Sequence, residues 1–504
     1  MAPGRPLRRP DNPRLAHSSC EPLRLMDVHL TIHGRQNLAG QLYRQLRAGV
    51  MDGRLAPGQR LPSTRELALR LGVSRKTTLD VFERLIAEGY LRSRAGDGTF
   101  VADAMTRLAP PPTKPATSPA TGSIWDEMGD ALPMTRTEAP PDYDFVGGVT
   151  DKRVFPFDQW RRCVSHALRV QARGRGAYHD PAGEQELRLA VARYLAFSRA
   201  VVSHWQEVII TQGAQQALDL LTRVAIRPGE VIAMEDPGYP PARILFAALG
   251  AHVVPVAVDE EGLIVDALPP NARMVYVTPS HQFPLGMPMS LERRLALLAW
   301  AQRHGALVVE DDYDGEYRFE GRPMESLKSL DTAGVVAYVG TFSKTIFPEL
   351  RVGYVIPPAP LGTALRRARQ VSDWHSCTMT QIALAKFMLD GYFAKHLRRM
   401  HKEYAARRAA LLERLRGDLA QWFTPLPSAA GIHLVAAIRG PHDEAAMIRV
   451  AATRSVGLYG TAGMFAGTAP RPALLFGYGG IDVAGVQGGL GRLADALSGH
   501  RDAD

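Results

Sequence analysis

Apolar residues first recur at a regular spacing after residue 35, and that spacing is helical. Leucines at every fourth position, followed by a valine, predict a helix over 36–54: Leu38, Leu42, Leu46 and Val50. Ser63 and Glu66 have the spacing of a capping box at the start of a second helix, and Ser74 is positioned to cap a third. Three apolar side chains of the third helix are expected to point inward: Leu79, Phe82 and Ile86.

A glycine turn at Gly72 joins the second and third predicted helices, and this arrangement is typical of a helix-turn-helix. In that motif the polar start of the second helix enters the major groove of DNA. Here that start carries Arg75, Lys76 and Thr77. On the helices alone, a small protein-interaction domain is the alternative.

Two short strand-like segments, 90–94 and 96–101, follow these helices and predict a hairpin, the wing of a winged helix. Arg92 and Arg94 in the first segment can reach DNA phosphates, which position a protein without specifying sequence.

From about residue 142 the pattern changes to alternating strands and helices. The apolar runs that predict strands are Val208–Thr211, Val231–Met234, Met274–Thr278, Leu307–Glu310 and Val335–Val339. Helical stretches such as 214–224, 290–304 and 361–370 separate them. This alternation predicts an α/β fold with a mostly parallel sheet and a ligand site at the carboxyl ends of its strands. A helical tract over 378–417 and a smaller C-terminal domain complete the expected fold.

Positive charge is concentrated at the N-terminal end. Residues 1–110 hold 18 Lys and Arg against 10 Asp and Glu, while the whole chain of 504 residues has a net charge of +9. That asymmetry favours a nucleic-acid-binding module on a near-neutral body, although a basic flexible tail contributes to it.

The expected organisation is a disordered basic tail over 1–25, a DNA-binding domain over 26–102, a linker over 103–141 and a large domain over 142–504. The linker is predicted from its eight prolines. A translation start at Met26 is a further hypothesis. Apolar runs long enough for a membrane helix are missing from the sequence. Three scattered cysteines form neither a disulfide framework nor a metal pattern, so we expect a cytoplasmic protein without a metal site.

Two of the predicted strands end in groups suited to a phosphate and a protonated ring. Gly213 opens a helix, where free N–H groups favour a phosphate, and a tight packing turn is the alternative. Asp311 and Tyr313 end another apolar strand. A carboxylate there can hold a pyridinium proton and a tyrosine can bond a phenolate oxygen; a helix cap or an acidic surface cluster is the alternative.

A third strand, Val335–Val339, leads through Thr341 and Ser343 to Lys344. An amine in an apolar pocket can lose its proton and form a Schiff base with a carbonyl. Arg351, seven residues further, can neutralise a phosphate. A phosphate turn, a ring acid, a Schiff-base lysine and a phosphate arginine are together the parts that bind pyridoxal 5′-phosphate (PLP).

The order and spacing of these motifs resemble class I aminotransferases over about 145–500. The resemblance implies that Lys344 forms the internal aldimine, that Asp311 pairs with the pyridine nitrogen and that Tyr313 bonds the ring hydroxyl. Tyr239 would stack on or border the ring, or else belong to the core. The residues that the resemblance implies for the phosphate are Gly213, Ala214, Gln215, Thr341, Ser343 and Arg351.

Two departures put full aminotransferase activity in doubt. The loop over 279–286 lacks the asparagine that aminotransferases usually carry, and the strand Ala473–Gly477 lacks their carboxylate-binding arginine. Arg471, two residues before that strand, is the candidate for an effector carboxylate.

The N-terminal strings at 59–68, 72–75 and 96–101 resemble the GntR family of winged-helix regulators, which implies that Arg65, Ser74, Arg75 and Thr77 contact DNA. The strings T-P-S-H-Q-F-P-L-G at 278–286 and E-D-D-Y-D at 310–314 resemble the MocR/GabR family, in which such a winged helix is fused to an aminotransferase-like PLP domain. This second resemblance covers nearly the whole chain after residue 26. It implies a transcription regulator that binds operator DNA as a head-to-tail homodimer.

Three hypotheses follow. The first is a regulator that senses PLP, or an amine or amino acid, through an aldimine at Lys344. The second is a working PLP-dependent aminotransferase with an accessory DNA-binding domain. The third is a PLP domain that has lost its cofactor and serves only for dimerisation, against which the retained lysine, aspartate and arginine argue. The family resemblance implies effectors such as vitamin B6, γ-aminobutyrate, taurine or D-alanine, and the sequence does not choose among them.

Overall fold

The structure, a computed structural model, describes Leu30 and residues 36–103, 140–321 and 325–501. These residues fall into two compact units, one on each side of residue 120. The predicted tail over 1–25, Met26 and most of the predicted linker lie outside the described residues.

The first unit contains the three helices and the hairpin that the hydrophobic pattern predicts. Its elements are α1 Leu38–Met51, α2 Thr64–Leu71, α3 Arg75–Ala87, β1 Leu91–Arg94 and β2 Gly98–Val101. The two strands are antiparallel, with Arg92 opposite Phe100. The helices and the hairpin enclose one apolar core, to which Leu42, Leu46 and Val50 contribute as expected. The winged helix-turn-helix is therefore confirmed.

Serine hydroxyl groups cap both helices of the motif. Ser63 accepts the main-chain N–H of Glu66 at 3.2 Å, and Ser74 accepts that of Thr77 at 3.0 Å. The capping box at Ser63 is only half formed, because the Glu66 carboxylate pairs with Arg70 instead.

The expectation that Leu79 points inward is wrong, since its side chain is 43% exposed. The expectation is confirmed for Phe82, which is buried, and for Ile86, which packs against the core. The buried residues of α3 recur at positions i, i+3, i+4 and i+7: Thr78, Val81, Phe82 and Leu85.

The second unit is built on an eight-stranded sheet. After a short strand, β3 Tyr143–Asp144, its strands are β4 Ile209–Thr211, β5 Val231–Asp236, β6 His252–Asp259, β7 Gly262–Leu263, β8 Ala272–Val277, β9 Leu307–Asp312, β10 Val336–Thr341 and β11 Gly353–Ile356. Their order is β4-β11-β10-β9-β8-β5-β6-β7. Strands β6, β5, β8, β9 and β10 are parallel, and β11 runs antiparallel between β10 and β4. The mostly parallel sheet is confirmed.

Helices connect and cover these strands. They are α4 Phe157–Ala172, α5 Gln185–Ser198, α6 Ala214–Ala225, α7 Pro240–Ala248, α8 Leu291–His304, α9 Leu327–Leu330, α10 Ala359–Asp373, α11 Thr378–Leu389 and α12 Tyr392–Arg416. Apolar side chains from both faces of the sheet are buried against them. The expected helical tract over 378–417 is present as two helices, because Gly391, with φ of 77°, separates α11 from α12. A left-handed residue ends an α-helix, and glycine adopts that conformation at little cost.

The C-terminal part forms a smaller antiparallel sheet of four strands in the order β12-β13-β16-β15. Its elements, with the neighbouring strand β14 and two helices, are β12 Phe423–Pro425, β13 His433–Ile438, α13 Glu444–Ala452, β14 Val456–Gly457, β15 Tyr459–Gly460, β16 Ala473–Gly477 and α14 Val483–Arg501. Among the described helices of both units, none is long and apolar enough to cross a membrane.

Candidate functional site

The carboxyl ends of β4, β9 and β10 bring the predicted cofactor residues to one edge of the large sheet. Thr211 at the end of β4 and Thr341 at the end of β10 both lie opposite Gly353 of β11. Asp311 on β9 lies opposite Val339. A Cβ atom at Gly353 would lie 2.7 Å from the Gly213 carbonyl carbon, so only glycine lets the phosphate turn approach β11 this closely.

Lys344 follows β10 and extends a partly buried side chain into the site. Its Nζ donates a hydrogen bond to the Gly148 carbonyl at 2.7 Å. Burial lowers the pKa of this amine, the carboxylates of Asp314 and Asp311 raise it, and Arg351 lowers it further. Because the net shift is downward, a larger fraction of the amine is neutral and nucleophilic than for a lysine in water.

Asp311 offers one carboxylate oxygen that has no partner. Its Oδ2 accepts the Tyr276 hydroxyl at 2.8 Å, while the buried Oδ1 has no hydrogen bond. Burial raises the pKa of Asp311 to about 7, and the Tyr276 hydrogen bond opposes this rise. A buried acceptor without a donor is costly, and a protonated ring nitrogen would supply both the missing donor and a compensating charge.

The guanidinium of Arg351 lies directly against the turn at Gly213. Gly213 has φ of 82° and precedes α6, whose first N–H groups have no helical partner. Arg351 has a left-handed backbone, with φ of 50°, and its Nη2 donates to the Gln212 carbonyl at 2.9 Å. A Cβ atom at Gly213 would lie 3.0 Å from that nitrogen, so a side chain here would crowd the guanidinium. A cation and free N–H groups thus lie side by side, which favours an anion.

The other predicted phosphate residues differ in how freely their polar groups are available. The hydroxyl groups of Thr341 and Ser343 lie 3.0 Å apart. The side-chain amide of Gln215 donates to the Pro241 carbonyl at 3.0 Å. The groups that Gln215 and Ala214 can offer an anion are therefore their main-chain N–H groups in the first turn of α6.

Two tyrosines border the site. The Tyr313 hydroxyl donates to the His281 carbonyl at 3.0 Å and lies 2.9 Å from Nδ1 of the same histidine. Tyr239 packs edge-on against Phe283, with ring centroids 5.5 Å apart. Burial raises the pKa of Tyr239 to about 12, so this side chain is a neutral phenol near neutral pH.

Several residues of the site were not predicted from the sequence. Gly148 and Tyr276 bond the two principal groups, Lys344 and Asp311, and His281 bonds both Tyr313 and Asp314. A hydroxyl inside the apolar strand Met274–Thr278 was the available signal for Tyr276. For Gly148, 196 residues before Lys344, the sequence offers none.

The structure also brings together His281, Asp314 and His433, whose ligand atoms lie within 4.8 Å of one another. His281 Nδ1 lies 3.1 Å from Asp314, and His433 Nε2 lies 3.0 Å from the Pro284 carbonyl. Hydrogen bonds thus engage both histidines. The expectation that the chain has no metal site stays a prediction.

Arg471, the candidate for an effector carboxylate, lies exposed before β16. No hydrogen bond or ion pair joins it to another residue in the part of the chain that the structure describes. Its assignment stays a prediction.

In the winged helix, Arg65, Arg75 and Lys76 lie exposed on the first turns of α2 and α3. Ser74 and Thr77 bond each other through their hydroxyl groups, at 2.7 Å, at the start of α3.

On the wing, Arg92 pairs with Asp103, and the guanidinium of Arg94 lies 4.9 Å from the centre of the Phe100 ring. Arg94 also lies 3.9 Å from Asp97. The predicted contacts on α2 and α3 and on the wing thus belong to one winged helix, and their DNA-binding roles stay predictions.

These features define a class of protein in which a winged-helix DNA-binding unit is joined to an aminotransferase-type domain, and the comparisons agree. The model of the gntR family of bacterial regulatory proteins matches residues 38–101, and that of aminotransferase class I and II matches residues 150–473. The "Probable rhizopine catabolism regulatory protein MocR" of Rhizobium meliloti is 39% identical over 91% of this chain and 93% of its own length.

Of two further matches, one spans nearly the whole chain and the other about three quarters of it. The "HTH-type pyridoxine biosynthesis transcriptional regulator PdxR" of Corynebacterium glutamicum is 31% identical over 94% of this chain and 99% of its own length. A kynurenine aminotransferase of Pyrococcus horikoshii matches in structure with a TM-score of 0.66 and 25% identity, covering 77% of this chain and 97% of its own.

The chain belongs to the MocR family of helix-turn-helix transcriptional regulators, whose second domain has the aminotransferase class I and II fold. That fold family is PLP-dependent, and the gntR-type domain implies DNA binding.

Proposed function

We propose that this regulator holds PLP at Lys344 and that the occupancy of this site changes how its winged helix binds operator DNA. The observation that carries the proposal is the unpartnered Oδ1 of Asp311, which lies in the same site as a desolvated lysine and an arginine-flanked glycine turn. PLP is a compact molecule that has one partner for each of these groups: a ring nitrogen, an aldehyde and a phosphate.

Each group of the chain has one task in this proposal. PLP supplies an aldehyde to which primary amines attach reversibly. Lys344 binds that carbon through Nζ, Asp311 holds the proton on the ring nitrogen, and Arg351 balances the charge of the phosphate over the Gly213 turn. Tyr313 lies beside His281 and is the candidate to bond the ring hydroxyl. Tyr239 is the candidate to border the ring.

DNA binding is assigned to the exposed basic starts of α2 and α3 and to the wing. We retain the domain boundaries at 26–102 and 142–504, with a linker between them. A shift between two states of the large unit can reach the winged helix only if the effector binds the two states with different affinity.

We also retain the homodimer. The second unit exposes large apolar side chains near the turn at Gly213. Val371 is 86% exposed, and the rings of Tyr178 and Trp374 lie 4.3 Å apart with an interplanar angle of 32° while both remain exposed. Asp373 beside them accepts one hydrogen bond from Gln212 and one from Gln216. Exposed apolar patches of this kind are typical of interfaces.

A working aminotransferase is the second candidate, since the lysine, aspartate and arginine are all in place. The exposure of Arg471 argues for a sensor instead, because none of the described residues joins it to form a carboxylate clamp.

The test uses the full chain stripped of PLP by dialysis against an amine. Adding PLP should produce a visible imine band and change the affinity for operator DNA, and Lys344→Ala should abolish both effects. Lys328→Ala, which removes a lysine that bonds the Val336 carbonyl elsewhere in the fold, is the control for loss of any lysine. A chain that stays colourless with PLP would contradict the proposal. Sustained turnover of an amino donor with a keto acid would favour the aminotransferase.

A further inference from the structure

An apolar cluster lies near Lys344 in the smaller sheet and the loop after β8. We call it the apolar wall. Its buried members are Val435, Ala473 and Leu475, and its partly exposed members are Phe283, Leu426 and Met464. Three of its residues belong to the antiparallel strands β13 and β16, and Phe283 comes from the loop after β8.

Two sets of contacts place the wall next to the site. Gly148, which accepts the Lys344 amine, follows Gly147, where a Cβ atom would lie 2.8 Å from Cδ2 of Leu475. On the other side, the Phe283 ring lies 5.5 Å from that of Tyr239 and 6.0 Å from that of Tyr313. The wall therefore reaches from the lysine to the two tyrosines.

The charged groups around Lys344 disfavour a carboxylate on the ligand. Those close enough to shift its pKa are Asp314, Asp311 and Arg351. Arg351 is bound to the Gln212 carbonyl at the phosphate turn. His433 cannot serve as a cation, because burial lowers its pKa to about 3.

The side chains that bond the main chain of the apolar wall also disfavour a carboxylate on the ligand. The carboxylate of Glu444 accepts the N–H of Ala473 at 3.1 Å. The cation bonded to the wall's main chain is Arg243, whose guanidinium donates to the carbonyls of Gly463 and Met464. A ligand carboxylate on this wall would therefore meet carbon, an anion and a guanidinium that already has two acceptors, and a charge that is left unpaired in such surroundings is costly.

We propose that the effector of this site is a primary amine with an apolar carbon skeleton and no carboxylate next to the nitrogen. The inference rests on the proposed function, because the amine must reach PLP at Lys344. In the exchange, a bond forms between the amine nitrogen and the cofactor carbon, the bond from that carbon to Nζ breaks, and two hydrogens of the neutral amine pass to Nζ. No oxidant or reductant is needed.

The test compares ligands that differ only by a carboxylate. The PLP-loaded full chain is titrated with isobutylamine and with valine, and with isoamylamine and with leucine, following the visible band and operator affinity. We expect each amine to act at concentrations about 100-fold lower than its amino acid, since a site without a partner for a charge rejects it strongly. Equal or tighter binding of the amino acids would overturn the inference.

Two variants sharpen the result. Leu426→Lys places a cation on a partly exposed position of the wall and should improve the response to valine about tenfold, whereas Leu426→Met, similar in length and uncharged, should not. If valine binds the parent chain well and Arg243→Gln or Arg471→Ala removes that binding, that arginine is a carboxylate clamp and the inference is wrong. Failure to take up PLP contradicts the proposed function itself, whereas uptake of PLP with a preference for amino acids contradicts the inference alone.

Discussion

Asp311→Asn should stabilise the PLP-free protein and destabilise the PLP-loaded one relative to the parent chain. In the folded chain the pKa of Asp311 rises from its ordinary value of 3.8 to about 7. The folded state therefore keeps a proton that the unfolded state has lost, and the free energy of unfolding falls as the pH rises between these two values. Above both values the ionised, buried carboxylate costs at most about 4 kcal/mol, at 1.36 kcal/mol for each pKa unit.

The amide of Asn carries no charge, so the cost of burying an ionised carboxylate is absent in this variant. Its NH2 group would take the place of the unpartnered Oδ1 and lack an acceptor, which costs about 1–3 kcal/mol. The expected net gain for Asp311→Asn without PLP is about 1–3 kcal/mol at about pH 8, and it should shrink toward about pH 5. With PLP the order should reverse, because only the carboxylate can stabilise a protonated ring nitrogen and so add binding energy to the folded state.

Urea denaturation of both chains, with and without PLP and at both pH values, measures all eight free energies of unfolding. Asp312→Asn is the matched control. Its carboxylate forms a buried ion pair with Arg199 at 2.6 Å, so its removal should destabilise the chain in every condition. If Asp311→Asn is less stable than the parent without PLP at about pH 8, or keeps its rank when PLP is added, the role given to Asp311 is wrong.

Three further outcomes are expected. Arg75→Ala should weaken operator binding and lower the slope of log affinity against log salt by about 1 in a salt titration, with Arg70→Ala on α2 as the control; an unchanged slope would remove Arg75 from the interface. Ser74→Ala should lower the stability of the winged-helix unit by about 1 kcal/mol, measured by thermal unfolding, because Ser74 caps α3; full stability with weaker DNA binding would instead make Ser74 mainly a contact. Arg351→Ala should weaken PLP binding by about 10- to 100-fold in an absorbance titration, since a hydrogen bond to a charged group is worth about 1.5–3 kcal/mol; unchanged affinity would place the phosphate elsewhere.

The sequence predicted that Lys344 and Asp311 lie near each other, because the carboxyl ends of parallel strands share one edge of a sheet. Each follows an apolar run that predicts a strand, so local pattern and general topology were sufficient. The winged helix could also be predicted, because the residues that start its helices are local signals in the sequence.

The omissions concern contacts between distant segments, and the errors concern choices within single helices. The bonds from Lys344 to Gly148 and from Tyr276 to Asp311 join residues far apart in the chain, and no periodicity encodes them. Glu66 had an equally good local partner in Arg70, which left the capping box half formed. Leu79 is apolar but lies beside, rather than on, the inward stripe of α3, and only packing against α1 and α2 distinguishes the two positions.

The loop from β10 to β11 carries both Lys344 and Arg351, and the backbone pair between Thr341 and Gly353 closes its base. Gly353 also pairs with Thr211 on β4, which is the outermost strand of the sheet. The proposed covalent and phosphate anchors therefore lie among the last three strands at one margin, which are β10, the end of the parallel block, and the two strands β11 and β4 beyond it. Margins of sheets open at lower free energy than their centres. Hydrogen exchange should then show that the amides of these three strands become protected together when PLP binds. Capture of the cofactor would order this margin of the sheet as one unit, and release would let it open locally.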